Sequence, residues 1–175
     1  YPSGYAGSRE QEFLDKINGL SYEEIAKRGG GILNSADRLH ELPRTSFTAG
    51  DGTYPRDHRN GTGCVEIKSG YGLTTEDELK MLRVIRRIRE TSPITVRATF
   101  LGAHAVGRPK GRQQEYVDLI CREMIPAVGR EKLAEFVEFS ATRGSSPSKD
   151  GTDFACGREY GLVPKIHANE LAVSG

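Results

Sequence analysis

Hydrophobic and polar positions divide the chain into short segments whose period switches between helical and strand-like. Ser8 with Gln11, and Ser21 with Glu24, have capping-box spacing, and Gly19 and Gly29 stand where two short helices would stop. CVEIK, residues 64 to 68, reads as a strand, and SGYGL interrupts it. Thr75 with Glu78 then opens a longer helix carrying Leu79, Met81, Leu82, Ile85 and Ile88, which Thr91, Ser92 and Pro93 end. In ITVRATFL, Ile94, Val96, Ala98 and Phe100 alternate onto one face, and GAHAVGRPKG follows as a loop. A further helix from about Gln113 carries Val117, Ile120, Cys121, Met124 and Ile125, with Pro126 near its end. EFVEF and LVPKIH are the third and fourth strand candidates.

Strands alternating with helices predict an α/β fold with a parallel sheet. The pattern alone fits an open doubly wound sheet and a barrel equally. Two windows depart from it: residues 36 to about 60 and 140 to about 156 are polar, rich in Gly, Pro and Ser, and without usable periodicity. A crossover helix belongs in each place.

Composition narrows the functional classes. A length of 175 residues suits one domain, and 25 Lys and Arg against 24 Asp and Glu give a net charge of +1, so no global field gathers nucleic acid or anionic lipid. A small-molecule partner fits better. Cys64, Cys121 and Cys156 are odd in number and widely spaced, which argues against a disulfide framework or structural zinc site and fits a reducing cytoplasm. No apolar run approaches the roughly 18 residues of a membrane helix, and YPSGYAGSRE does not read as a signal peptide. Because the first residue is Tyr and not Met, the N-terminus is expected to be cut.

Parallel α/β folds place ligands at the carboxyl ends of their strands. Lys68-Ser69-Gly70-Tyr71-Gly72 leaves the first strand, Gly102-Ala103-His104 the second, and His167-Ala168-Asn169-Glu170 the fourth. His167 fits two roles: a metal ligand, with Glu170 nearby to move a proton, or a hydrogen-bonded strand-end imidazole. Tyr71 is either a packed turn tyrosine or, freed by its flanking glycines, a ligand contact. Arg9 suits a carboxylate clamp or simple solvent exposure, and MLRVIRRIRE reads as a solvated helix face. KRGGGIL lacks the glycine spacing and preceding strand of a phosphate loop.

The stretches AGSREQEF, SYEEIAKRGGGI, VEIKSGYGLTTEDELKMLRVIRRI, TFLGAHAV and GREYGLVPKIHANEL resemble, in that order, the imidazolonepropionase family of the amidohydrolase superfamily. About two thirds of the chain is covered. The resemblance implies a partial TIM-type (β/α) barrel across residues 1–175, about half the barrel of a longer protein with a small β-rich domain, and windows 36–60 and 140–156 as aberrant segments. It implies a zinc- or iron(II)-dependent cytoplasmic hydrolase of histidine breakdown that opens 4-imidazolone-5-propanoate to N-formimidoyl-L-glutamate, with a homodimer as one expected assembly. Carried across by position, Arg9 matches the arginine gripping the propionate carboxylate, and Tyr22 a pocket tyrosine. Tyr71 and His104 match the residues contacting the imidazolone, His167 a metal ligand, and Glu170 the glutamate that contacts substrate and shuttles the proton.

Departures from the family pattern shape the expectation as much. The family's His-x-His metal pair falls seven and nine residues before Arg9, where Pro2 holds the nearer position and the other precedes Tyr1. A further histidine and a metal-binding aspartate fall beyond Gly175, and Asn169 stands where the family often has Asp. With one of four ligands left, the isolated chain is expected to be inactive, since catalytic zinc needs about three protein ligands. The competing expectations are a non-catalytic binding module that keeps Arg9, Tyr71 and His104, and another cyclic-amide hydrolase of the superfamily. One permitted back-translation of Ser140 to Ser146 reads Cys-Asp-Glu-Gly-Ile-Phe in another frame, close to the family sequence, so local frameshifts are the expected origin of the two windows.

Overall fold

The computed structural model describes residues 10–20, 24–25, 40, 59–103, 113–140 and 152–167. Helix α1 (Glu10–Ile17) ends at Gly19, whose φ of +84° lets Leu20 N–H reach Asp15 O at 3.0 Å while Gly19 N–H reaches Lys16 O at 3.0 Å. Of the second expected helix, Glu24 and Ile25 are described and helical. Then come β1 (Cys64–Lys68), α2 (Thr75–Thr91), β2 (Thr95–Ala103), α3 (Gln113–Leu119), a π-helical turn (Ile120–Met124), α4 (Ile125–Glu131), β3 (Phe136–Ser140), α5 (Thr152–Glu159) and β4 (Val163–His167).

Two details differ from the periodicity reading. The cap of α2 is Thr74, not Thr75: its hydroxyl accepts the Asp77 N–H at 3.2 Å, and this releases Glu78 from the cap. The second is Pro126, which lies inside a continuous helical stretch. A proline removes one N–H and collides with the carbonyl four residues back, and the π-helical turn just before it widens the spiral, with Ile125 N–H bonding Ile120 O. The stretch then runs five residues past the proline, to Glu131.

The four strands pair in parallel in the order β1-β2-β3-β4. Each successive crossover adds its strand on the same side, with no reversal, as in a (β/α) barrel and unlike a doubly wound sheet with its switch point. The chain is therefore α/β, a partial barrel wall. Of window 36–60, His40, Arg59 and Asn60 are described; of window 140–156, Ser140 and residues 152–156, the latter opening the crossover helix α5.

On one side of the sheet, Ile67, Val96, Ala98, Phe100, Val137 and Phe139 pack against Leu82, Ile85 and Ile88 of α2 and Met124, Ile125 and Val128 of the following helical stretch. The alternation expected of Ile94, Val96, Ala98 and Phe100 is present, and all four belong to this core. Helix α5 lies close because Gly157 faces Val137, where a Cβ would come within 2.5 Å of a valine methyl. The arginines of α2 are not merely solvated: Arg83 bonds Glu131 through Nε at 3.0 Å and Nη2 at 2.5 Å, and Arg89 bonds Glu135 at 2.6 Å. Cys64, Cys121 and Cys156 form no disulfide with one another.

Candidate active site at the carboxyl face of the sheet

The other side of the sheet is polar, and its contacts reveal its shape. Lys68 of β1 is level with Thr99 and, through it, with Phe136 of β3. Yet the Lys68 ammonium bonds both carboxylate oxygens of Glu138, two residues further along, at 2.7 Å. Thr99 is likewise level with Val163, and the side-chain network links it to Lys165, two residues further on, through Glu66. A stagger of two residues for every two strands is the shear of an eight-stranded barrel, whose interior layers draw on alternate strands. Lys165 Nζ meets Glu66 Oε1 at 2.6 Å and lies 3.8 Å from the centre of the Phe136 ring. On a flat sheet that ion pair would span three strand spacings, about 14 Å, and four residues of rise, about 13 Å, too far for the two side chains. Only a curved wall brings them together.

Burial and charge set the acidity of this layer. Burial raises the Glu66 carboxyl, but hydrogen bonds from Lys165 and Thr99 outweigh it and leave its pKa below the ordinary value. Glu138 is almost fully buried and held by Lys68.

Above this layer the strands release their loops at one end of the sheet. Ser69–Thr74 leaves β1 immediately after Lys68, and Ser69 N–H continues the ladder by bonding Thr99 O at 3.0 Å. Tyr71 stands half-buried between Gly70, at φ +108°, and Gly72. The glycines serve the turn and the close approach to the helix: at Gly72 a Cβ would come within 2.5 Å of the Glu78 backbone nitrogen. Under the loop lies Glu78, fully buried. Its carboxyl oxygens accept the N–H groups of Gly70 at 2.9 Å, Gly72 at 2.7 Å and Leu73 at 3.3 Å. Burial pushes this carboxyl above its ordinary pKa, against the pull of the Ser69 hydroxyl and those three N–H groups.

The exit of β2 is braced from the same place. An extra residue in β2 between Phe100 and Ala103 breaks the pairing with β3, a bulge of the kind that re-aims a strand end. The Tyr116 hydroxyl donates to Gly102 O at 2.9 Å, and the Ser69 hydroxyl accepts Leu101 N–H at 3.2 Å. Burial and the nearby Glu78 raise the Tyr116 pKa, so the phenol keeps the proton it donates.

Of the expected site residues, Tyr71 is described in full, and His167 is the last residue of β4, paired with Ser140 of β3. His104 follows directly on Ala103, the last residue of β2. Arg9, Tyr22, His104 and Glu170 themselves lie outside the described residues. The carboxyl ends of β1, β2 and β4 thus lie at one end of one sheet. Among the described residues no three His, Cys, Asp or Glu groups come together.

The sequence reading names Lys68 and Ser69 only as part of the loop leaving the first strand and Glu78 only as a helix cap, and it gives Tyr116 and Glu138 no part in the site. One signal was available for Glu78, which lies on the apolar stripe of α2 four residues before Leu82 and seven before Ile85. A charge on that stripe demands a buried partner.

No family model matches the chain. Individual curated proteins do. An imidazolonepropionase of Flavobacterium psychrophilum is 47% identical over 174 residues, covering 98% of this chain and 42% of that protein. One of Christiangramia forsetii is 47% identical over 176 residues, covering 95% of this chain and 41% of that protein. One of Brevibacillus brevis is 41% identical over 170 residues, covering 95% and 40%. The chain spans about two fifths of the length of these relatives.

Proposed function

We propose, from the premise that this chain belongs with the imidazolonepropionases over the two fifths of their length it spans, that it forms the part of a hydrolase pocket that grips and orients the substrate. The observation that carries this reading is the shared exit of β1, β2 and β4 above a curved polar wall.

The reaction adds water to the ring carbonyl carbon of 4-imidazolone-5-propanoate and breaks the ring C–N bond, giving N-formimidoyl-L-glutamate. Arg9 pairs with the propionate carboxylate, and Tyr22 lines the pocket beside it. Tyr71 and His104 hold the imidazolone ring in register, and Glu170 carries the proton from the attacking water to the leaving nitrogen. His167 is the residue of this chain suited to hold the zinc or iron(II) ion that supplies hydroxide at neutral pH. One histidine does not by itself make a metal site, and the ion's remaining ligands would have to come from outside the residues named above. The same reading carries a cytoplasmic location and a homodimer for the complete protein.

The test is a chimera that completes this chain with the flanking regions of the Flavobacterium psychrophilum relative. Ring opening, followed by loss of imidazolone absorbance, is expected in the folded chimera and absent from the 175-residue chain supplied with zinc or iron(II). Turnover by the chain alone contradicts the division of labour. A folded, metal-loaded chimera without turnover contradicts the functional reading.

A further inference from the structure

One buried side chain holds the backbone on both sides of Tyr71. Gly70 N–H points to Glu78 Oε2, and Gly72 and Leu73 N–H point to Oε1. They converge because Gly70 and Leu73 take positive φ values, +108° and +58°, which turn successive N–H groups inward. From the other direction the loop is pressed on the start of α2, where Gly72 has no room for a side chain. Ser69, bonded to Glu78 and to Leu101 N–H, ties the same loop to β2, the strand that leads to His104.

We propose that Glu78 is a positioning residue of the site: its carboxyl fixes the loop on both sides of Tyr71 and sets where that phenol stands relative to the exit of β2. The inference rests on Tyr71 being a substrate contact. The chemistry asks for a carboxyl. Two acceptor oxygens on one carbon serve donors arriving from either side of a turn, whereas an apolar replacement strands three N–H groups, two of them buried. Glutamine keeps the size but turns one acceptor into a donor facing donors. Aspartate keeps both oxygens and falls one methylene short.

The chain has no tryptophan, so Y71W provides a single indole reporter at the place in question. Acrylamide quenching and anisotropy of that indole are compared in Y71W, Y71W/E78Q and Y71W/E78D, with far-UV circular dichroism as the control for global folding. The expected result is a several-fold rise in quenching and a drop in anisotropy for E78Q at unchanged helix and sheet signal, partly reversed in E78D. Amide exchange in the unaltered chain gives a second reading: Gly70 and Gly72 are expected to be protected as strongly as the β2 amides. Equal quenching in E78Q and its parent overturns the proposal, as do Gly70 and Gly72 amides that exchange freely in the unaltered chain. The pocket reading fails separately, if Y71F leaves ring opening by the chimera unchanged while the indole and exchange results stand.

Discussion

On the helix side of the sheet, Val96, Ala98, Phe100, Val137 and Phe139 are buried against helices, whereas the opposite side carries two cross-strand groups, Lys68 paired with Glu138, and Glu66 bonded to Thr99 and Lys165. The apolar side is held by contact area, a non-directional force that tolerates small shifts in register. The polar side is held by paired charges, each of which fixes one strand against another two or three places away. The comparison shows a division of labour: the apolar side supplies most of the stability, and the polar side sets curvature and stagger, and with them where the strand ends release their loops.

Breaking the apolar side has the largest effect. Phe100 is fully buried, with its ring folded against Gly102, and F100A is expected to cost about 3–5 kcal/mol in urea unfolding. On the polar side the expected loss is smaller and depends on pairing. K68M leaves Glu138 buried without its lysine and is expected to cost about 2–3 kcal/mol, while K68M/E138L recovers all but about 1 kcal/mol. A double variant no better than K68M alone would show that the polar side does more than satisfy its own charges.

Acidity sharpens the contrast next. Burial raises the folded-state pKa of Glu78 above its ordinary 4.5, so the folded chain holds that proton to higher pH than the unfolded chain does. The stability of the parent relative to E78Q is therefore expected to fall as pH rises from 4.5 and to level off above the folded pKa. A difference that grows with pH contradicts this. The smallest effect belongs to exposed His40, whose pKa the hydrogen bond to Asp77 raises from 6.5. Its stabilisation is complete below 6.5 and fades as pH rises through the raised value, and H40A is expected to abolish that step in a pH–stability profile.

Periodicity captured the apolar side well, since strand alternation and the α2 stripe both mark burial against helices. It could not distinguish the polar side from a solvated face. Glu66 and Lys68 alternate with Val65 and Ile67 as they would in a sheet with one wet face, and only closure of a barrel turns that face inward. Glu78 was misassigned for a related reason: the spacing Thr75–Glu78 satisfies a capping box, and a one-residue shift of the cap to Thr74 leaves Glu78 facing the loop. In the candidate site, Tyr71 and the end of β4 at His167 were legible because turns and strand ends have local signatures, whereas the support beneath them depends on contacts such as Leu101 to Ser69, 32 residues apart.

The central claim is that the polar side of the sheet is the inner wall of a curved barrel, and the Glu66–Lys165 pair tests it most directly. In a nuclear Overhauser spectrum of the labelled chain, the ε-methylene protons of Lys165 are expected to show cross-peaks to the γ-methylene protons of Glu66 as well as to the Phe136 ring. Cross-peaks from Lys165 to β3 neighbours alone, with none to Glu66, would mean a flat sheet and contradict the account.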